Sequence, residues 1–171
     1  MKICDTVNSK LYKNDRAILH SDCNCFYASV ECLLNPNIRD LPVAVSGDAE
    51  NRHGIILAKN EEAKKYNIKT GEAIWQAKKK CPQLLTVPAR LDVYKKFSDK
   101  VRRIYSDYTD MVEPFGLDEA WLDISEDYKN DALTIAKEIS QRVKDEIGIT
   151  VSIGVSFNKI FAKFGSDYKK P

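Results

Sequence analysis

The sequence predicts an α+β fold, namely a ferredoxin-like βαββαβ domain with a small α/β lobe inserted after its first strand. After residue 90, the periodicity of apolar residues gives the order helix, strand, strand, helix, strand, helix. Upstream, residues 17–22 form a short apolar run that ends in a carboxylate and supplies the missing first strand. This order is the split-βαβ pattern, and we expect an antiparallel sheet with its helices on one face.

Two long helices are predicted because apolar residues recur every three or four positions. The first stripe consists of Tyr94, Phe97, Val101, Ile104, Tyr105 and Tyr108. The second consists of Ala132, Ile135, Ala136, Ile139, Val143 and Ile147. Strict alternation over 149–156 then predicts a half-buried strand. Asn158 is a good N-cap for a last helix that carries Phe161, Phe164 and Tyr168.

Between the two long helices, residues 111–124 predict a β-hairpin, since two β-prone runs flank Gly-Leu-Asp-Glu. The turn puts Asp118 and Glu119 side by side, and such carboxylates repel one another unless a cation compensates. An isolated acidic turn is usually only a solvated turn, because exposed charge is the default. The predicted topology changes this interpretation, because the first strand lies centrally beside the hairpin and lets Asp22 approach both acids.

The inserted lobe is predicted over 26–89, a segment with few large apolar residues. Its predicted elements are a helix at 26–34, strands at 42–46, 54–58 and 84–88, and short helices at 60–66 and 72–80. The main domain is expected to combine 1–25 with 90–171, and its residues 1–15 are expected to form a polar leader.

Composition and charge restrict the class of protein. The chain has 171 residues and a net charge of only +2, well short of an autonomous nucleic-acid binder. It has neither the apolar core of a signal peptide nor a run of about 20 apolar residues, so we expect a cytoplasmic protein without a membrane partner. Its five cysteines include no CxxC pair, and its two histidines complete no zinc spacing, so disulfides and zinc are not expected.

Three carboxylates that converge on a sheet suit phosphoryl transfer by two Mg²⁺ ions, for which Mn²⁺ can substitute. Asp22 and Asp118 would bridge the ions, and Glu119 would complete the site of the ion that activates the nucleophilic hydroxyl. No Walker-type loop and no Ser-His-Asp arrangement competes. Three classes stay open on these grounds: a nucleic-acid polymerase, a nucleotide cyclase, and a non-catalytic DNA-binding module that has kept the fold.

A series of motifs narrows the choice. In chain order these are SDCNCFYASVE at 21–31, NP at 35–36, LPVAV at 41–45, LDEAWLDIS at 117–125, IGVSFNKIFAK at 153–163 and KP at 170–171. The series resembles that of Y-family, translesion DNA polymerases, and in particular their bacterial DinB-type (DNA polymerase IV) branch. The resemblance covers essentially the whole chain after the leader.

The resemblance implies a template-directed DNA polymerase that adds dNTPs to a primer 3′-OH, with release of pyrophosphate, in DNA damage tolerance and repair. Residues 1–25 and 90–171 would form the palm, and 26–89 the fingers. The implied partners are primer–template DNA and dNTP; a processivity clamp would bind through regions outside this chain. Members of the family continue after the Lys-Pro motif into thumb and little-finger domains, so we expect a catalytic-core fragment with little or no activity alone.

The resemblance also assigns roles to individual residues. Asp22, Asp118 and Glu119 would be the catalytic metal carboxylates, and Cys23 would offer its backbone carbonyl to a metal. Tyr27 matches the steric gate, whose ring occupies the space that a ribose 2′-OH would need. The implied substrate-binding residues are Asn24, Cys25, Phe26, Tyr27, Ala58, Lys59, Lys64 and Lys170, the last matching the lysine that contacts the triphosphate.

The fingers depart from the family pattern. DinB-type sequences often have Thr-x-Asn-Tyr-x-x-Arg, whereas residues 58–64 read Ala-Lys-Asn-Glu-Glu-Ala-Lys. The tyrosine hydroxyl is therefore absent at Glu61, and Lys64 keeps the charge but not the bidentate fork of arginine. We expect Lys59 to take over part of the phosphate contact. Gly116 stands where serine is usual, and none of these changes removes a metal ligand.

Overall fold

The computed structural model describes residues 16–47, 54–128, 131–168 and 170–171; the predicted polar leader, 1–15, lies outside them. The chain divides into two compact units. The first combines the described residues up to Asn24 with Lys95–Pro171, and the second is Cys25–Tyr94. The sequence predicted an inserted lobe over 26–89, and the second unit covers Cys25–Tyr94.

The α+β fold predicted from the sequence is confirmed. The elements are β1 Ile18–Cys23, α1 Phe26–Leu34, β2 Val43–Ser46, β3 Ile56–Lys59, α2 Glu61–Lys64, α3 Ile74–Lys80, β4 Leu85–Pro88, α4 Leu91–Ser106, β5 Val112–Phe115, β6 Glu119–Asp123, α5 Ala132–Arg142, β7 Val151–Ser156 and α6 Lys159–Asp167. A π-helical turn, Val143–Ile147, extends α5. Within the described ranges, no helix is both long and apolar enough to cross a bilayer.

The sheet of the first unit has the order β5-β6-β1-β7, with every neighbouring pair antiparallel. This is the strand order of a βαββαβ domain, in which the first strand is central. All six residues of β1 are buried, including the polar residues His20, Ser21 and Asp22. A strand that is paired on both edges and covered on both faces therefore positions Asp22.

The helices of this unit lie on both faces of the sheet, so the expectation of a single covered face was wrong for α6. Side chains alternate between the two faces of a strand. Ser21 of β1 accepts a hydrogen bond from the Tyr105 hydroxyl of α4, at 2.8 Å. His20, on the opposite face, lies with its Nδ1 2.7 Å from the Ser166 Oγ of α6.

Helix α6 packs closely on β7 because residue 154 of that strand is a glycine. A Cβ atom at Gly154 would lie 2.0 Å from the carbonyl oxygen of Ala162 and 2.5 Å from the backbone nitrogen of Ser166. The missing side chain thus lets the backbone of α6 rest directly on the strand. Asn158 caps the helix as predicted, since its side chain accepts a hydrogen bond from the Phe161 N–H at 2.9 Å.

The second unit contains a three-stranded mixed sheet of order β3-β2-β4. Strand β2 is antiparallel to β3 and parallel to β4. Asn60 ties this unit together: its Oδ1 accepts from the N–H groups of Val43 and Ala63, and its Nδ2 donates to the carbonyl of Leu41. A buried asparagine that satisfies three backbone groups fixes the start of α2 against the sheet.

Candidate active site

The register of the first sheet brings two of the predicted carboxylates together. Asp22 of β1 lies directly opposite Glu119 of β6, and opposite residues of an antiparallel pair point to the same face. Asp118 precedes Glu119 in the hairpin turn, and its carbonyl oxygen accepts a hydrogen bond from the N–H of Cys23 at 2.9 Å. The backbone thus locks the acidic turn to the end of the central strand.

Two lysines pair with Asp22 and Glu119. Lys170 Nζ pairs with Oδ2 of Asp22, and Lys163 Nζ of α6 pairs with Oε2 of Glu119. Asp22 is only 3% exposed, and among the residues that the structure describes its other oxygen, Oδ1, has no hydrogen-bond partner. A buried carboxylate oxygen without a partner is costly, so this part of the site fits a hard cation that would satisfy it.

Burial sets the protonation chemistry of the site. Desolvation raises the pKa of Asp22 to about 6, although the ion pair with Lys170 opposes the change. Burial likewise raises the pKa of Asp118. The buried thiol of Cys23 also has a raised pKa, so it stays neutral and Cys23 has only a carbonyl oxygen to offer to a hard cation.

The acids are not arranged as a ready-made ligand set. In the part of the chain that the structure describes, no three His, Cys, Asp and Glu side chains form a group that could hold a metal ion. Instead, Asp22 turns one oxygen to Lys170 and Glu119 turns one to Lys163. A cation bound by Oδ2 of Asp22 and Oε2 of Glu119 would have to displace both lysines.

Sequence reasoning missed His20 as part of this site. It is fully buried, and its ring centroid lies 4.8 Å from that of Trp121. Its Nε2 lies 3.0 Å from Oε2 of Glu119, in an approach that is not aligned as a hydrogen bond. Burial lowers the pKa of His20, and the charge of Lys163 adds to the effect. Strand alternation could have identified it. His20 and Asp22 are two residues apart on β1, so their side chains lie on the same face of the sheet.

The hairpin turn is also held from α4. Arg102 donates from Nη2 to the carbonyl oxygen of Gly116, at 2.6 Å. Gly116 has a φ of 67°, a left-handed conformation that glycine adopts without the steric cost of a Cβ. The replacement of the usual serine by glycine at this turn therefore suits the backbone it adopts.

The first three residues of the predicted substrate-binding set follow β1 along the chain. Asn24 is buried, and its amide group donates to Thr150 Oγ1 and accepts from Ser152 Oγ. Cys25 adopts a left-handed conformation, with φ 50°, at the N-cap of α1. The side chain of Phe26 is buried. For Asn24 and Phe26, any contact with a substrate would therefore come mainly from backbone atoms.

The predicted fingers contacts lie around β3 and α2. Ala58 is half-buried on β3, and Lys59 Nζ lies 3.2 Å from the Thr70 hydroxyl. Glu61, which stands at the position of the family tyrosine, forms an ion pair with Lys64 at 2.7 Å. It also accepts a hydrogen bond from the Cys25 thiol at 3.2 Å. The glutamate that replaces the family tyrosine at position 61 thus forms an ion pair with Lys64.

Tyr27 is half-buried on α1 and stacks on Tyr94. Both residues belong to the second unit.

Comparisons with known proteins agree with this architecture. The model of the impB/mucB/samB family matches residues 21–167. DinB from Sulfolobus solfataricus has a similar structure, with a TM-score of 0.85 at 32% identity over 91% of this chain and 46% of that one. An insertion ternary complex of Dbh DNA polymerase gives a TM-score of 0.86 at 31% identity with the same coverage. The fold is therefore that of a Y-family polymerase palm with its inserted lobe.

The chain belongs to the impB/mucB/samB family. It is 61% identical over 158 residues to DNA polymerase IV of Acetivibrio thermocellus, and 45% identical over 160 residues to DNA polymerase IV of Bacteroides fragilis. These matches cover 91% and 92% of this chain. The chain spans only about two-fifths of the length of these relatives, 40% and 43%.

Proposed function

We propose that the chain forms the palm (1–25 and 90–171) and fingers (26–89) of a translesion DNA polymerase, which adds dNTPs to a primer 3′-OH and releases pyrophosphate. One observation carries the proposal above all: Asp22 lies directly opposite Glu119, and the backbone of Asp118 is bonded to Cys23. Membership of the family and the names of its relatives support the same activity.

The proposed cofactor is a pair of Mg²⁺ ions, with Mn²⁺ as a substitute. Asp22, Asp118 and Glu119 would hold them, together with the carbonyl oxygen of Cys23. Oxygen donors of this kind suit both ions, and the assignment is supported by Oδ1 of Asp22, which has no hydrogen-bond partner among the described residues. When bound, such ions neutralise the attacking and leaving oxygens of an in-line displacement.

The side chains of the chain itself supply positioning and charge. Lys170 would exchange Asp22 for the triphosphate of the incoming nucleotide, which brings one positive charge to the leaving group. Tyr27 would exclude a ribose 2′-OH by the volume of its ring. Lys59 and Lys64 would provide cationic contacts from the fingers, although the pair between Lys64 and Glu61 weakens the second.

Primer–template DNA and dNTP are the proposed partners, and the ternary complex of Dbh DNA polymerase supports this choice. We further propose a role in DNA damage tolerance and a cytoplasmic location. A processivity clamp would bind through regions outside this chain.

Primer extension tests the proposal in a chimera, in which this chain replaces the matching segment of the Acetivibrio thermocellus relative. Asp118→Asn should lower the rate at least about 1,000-fold, since it removes an acid that acts in the transition state. The control, Asp110→Asn, changes an exposed aspartate just before the hairpin and should leave the rate within about twofold.

Near-normal extension by Asp118→Asn, with correct folding shown by circular dichroism, would contradict the assignment of the site. A chimera that extends no primer, or one that converts ATP or GTP into a cyclic product, would contradict the proposed polymerase activity itself.

A further inference from the structure

Helix α2 begins with two acids that form the same kind of ion pair in different surroundings. Glu61 and Glu62 lie in its first turn, and each pairs with the lysine three residues further along the chain. Lys65 donates to both carboxylate oxygens of Glu62, at 2.7 and 2.6 Å. Oε1 of Glu61 accepts from Lys64 at 2.7 Å and also from the Cys25 thiol at 3.2 Å. Glu61 is therefore held both by its own helix and by the residue that precedes α1.

The charges around Glu61 form a compact group. Burial lowers the pKa of Lys59, at the end of β3, and the positive charge of Lys64 adds to the effect, so the two lysines lie close to one another. Partial burial alone would raise the pKa of Glu61, but the hydrogen bonds from Lys64 and Cys25 lower it. The carboxylate is therefore ionised at neutral pH, and it holds one of two clustered lysines.

These two lysines are also the proposed cationic contacts of the fingers. DinB-type sequences often have a neutral tyrosine at position 61 and an arginine at position 64. Here Lys59, Glu61 and Lys64 carry the same net charge of +1, but the glutamate occupies one of the lysines. Phosphate and carboxylate groups both bind an ammonium group through anionic oxygens. A nucleotide phosphate and Glu61 must therefore compete for Lys64.

The ion pair is weak enough for a nucleotide to break it. The side chains of Glu61 and Lys64 are 55% and 32% exposed, and ion pairs at a protein surface contribute little to stability. A triphosphate carries several negative charges and can displace a single carboxylate, with some loss of affinity. The pair should thus weaken nucleotide binding without blocking it.

We propose that Glu61 is an internal competitor of the nucleotide triphosphate and sets the affinity of the fingers for it. In the free chain its carboxylate occupies Lys64, and an incoming nucleotide displaces the carboxylate before Lys64 binds phosphate. The inference rests on the proposed function, since it concerns the binding step of that activity. Glu61 acts only through Lys64. Because the phosphates carry no base identity, it affects all four dNTPs equally.

The test measures KM and kcat for dNTP in primer extension by the chimera. Glu61→Gln keeps the shape of the side chain and removes its charge, so KM should fall about two- to fivefold while kcat stays unchanged. Glu62→Gln is the matched control, because it removes an acid from the same helical turn and breaks the same kind of pair. It should leave both constants unchanged.

Inorganic pyrophosphate gives a second measurement that does not depend on base pairing. As a competitive inhibitor it presents phosphate groups without base or sugar, so its Ki should fall in Glu61→Gln by the same factor as KM. The ratio of kcat/KM for the correct and for a wrong dNTP should stay the same. A merely structural effect of the substitution would instead lower kcat or raise KM, and it would not tighten the binding of pyrophosphate.

A double variant tests whether Glu61 acts through Lys64. Lys64→Met should raise KM, since it removes a cation that binds phosphate. Adding Glu61→Gln to Lys64→Met should then change KM by less than about twofold, because no lysine remains to be released. If Glu61→Gln lowers KM as much in this background as it does alone, Glu61 repels the triphosphate directly, and the competition for Lys64 is wrong.

The outcomes separate this inference from the proposed function. If Glu61→Gln leaves KM and the Ki of pyrophosphate unchanged, or if Glu62→Gln lowers them equally, the role as competitor is wrong and the polymerase remains. If Lys64→Met leaves KM unchanged, Lys64 is no phosphate contact, and the inference fails with it. If the unchanged chimera extends no primer, the proposed function is wrong.

Discussion

At the scale of single residues, the candidate site is built at the expense of stability. Asp22 is buried in a central strand, and desolvation raises its pKa to about 6, against an ordinary value of 3.8. The ionised form is thus less favourable in the folded chain than in the unfolded one. The resulting cost is absent below pH 4, grows as the pH rises from about 4 to 6, and is complete above that range.

Asp22→Asn should therefore stabilise the chain at pH 8 in the absence of divalent cations. A difference of about two pKa units corresponds to at most about 3 kcal/mol, or a rise in Tm of roughly 3–8 °C for a chain of this size. Differential scanning calorimetry from pH 8 down to pH 4 should show the gain shrink with falling pH. Asp110→Asn is the exposed control and should stay near the unchanged Tm.

Added Mg²⁺ should raise the Tm of the unchanged chain more than that of Asp22→Asn, because the variant keeps only two of the three carboxylates proposed to hold the ions. If Asp22→Asn proved less stable than the unchanged chain at pH 8, the predicted gain would be wrong. The buried carboxylate would then stabilise the fold through its ion pair with Lys170.

At the scale of elements, close packing of α6 on β7 brings Lys163 to the acids. Gly154 permits this contact, since any Cβ there would meet the backbone of α6. The alternation of residues 149–156 predicted the strand, and Asn158 predicted the start of the helix. Neither feature indicated which face of the sheet the helix would cover, because a strand sequence gives alternation without saying which partner lies on each face.

Gly154→Ala should destabilise the chain by about 3 kcal/mol or more, since the methyl group would meet backbone atoms that cannot rotate away. Urea unfolding followed by circular dichroism measures the change. Gly47→Ala is the matched control, because no atom of the described residues, its chain neighbours apart, lies within 4 Å of an added Cβ. It should alter the free energy of unfolding by less than about 1 kcal/mol. If Gly154→Ala also lowered the free energy of unfolding by less than about 1 kcal/mol, the close packing of α6 on β7 would be contradicted.

At the scale of the whole molecule, the sequence indicated the acids far better than their surroundings. The predicted βαββαβ order was enough to bring Asp22 beside the hairpin, because the topology follows from periodicity and short connections. The ion pairs of Lys163 and Lys170 could not be anticipated in this way. They depend on side-chain positions set by tertiary packing, and a lysine in a sequence is usually just a solvated charge.

Charge at this scale also bears on DNA binding. Phosphate contacts dominate the affinity for duplex DNA, and a chain with a net charge of only +2 is expected to neutralise few phosphates. We expect the isolated chain to bind a primer–template duplex with a Kd weaker than about 10 µM at 150 mM salt, in the range of non-specific binding. Fluorescence anisotropy measures this value, and nanomolar binding would contradict the expectation.

The measurement that tests the central claim most directly is anomalous diffraction from crystals of the chain soaked in Mn²⁺. The account predicts a Mn²⁺ peak within coordination distance of Asp22 and Asp118, with Lys170 moved away from Oδ2 of Asp22. It also predicts that Asp22→Asn removes the peak. Crystals that take up Mn²⁺ only at other surface carboxylates, while the Asp22–Lys170 pair stays intact, would contradict the assignment of these acids as the metal site of a polymerase.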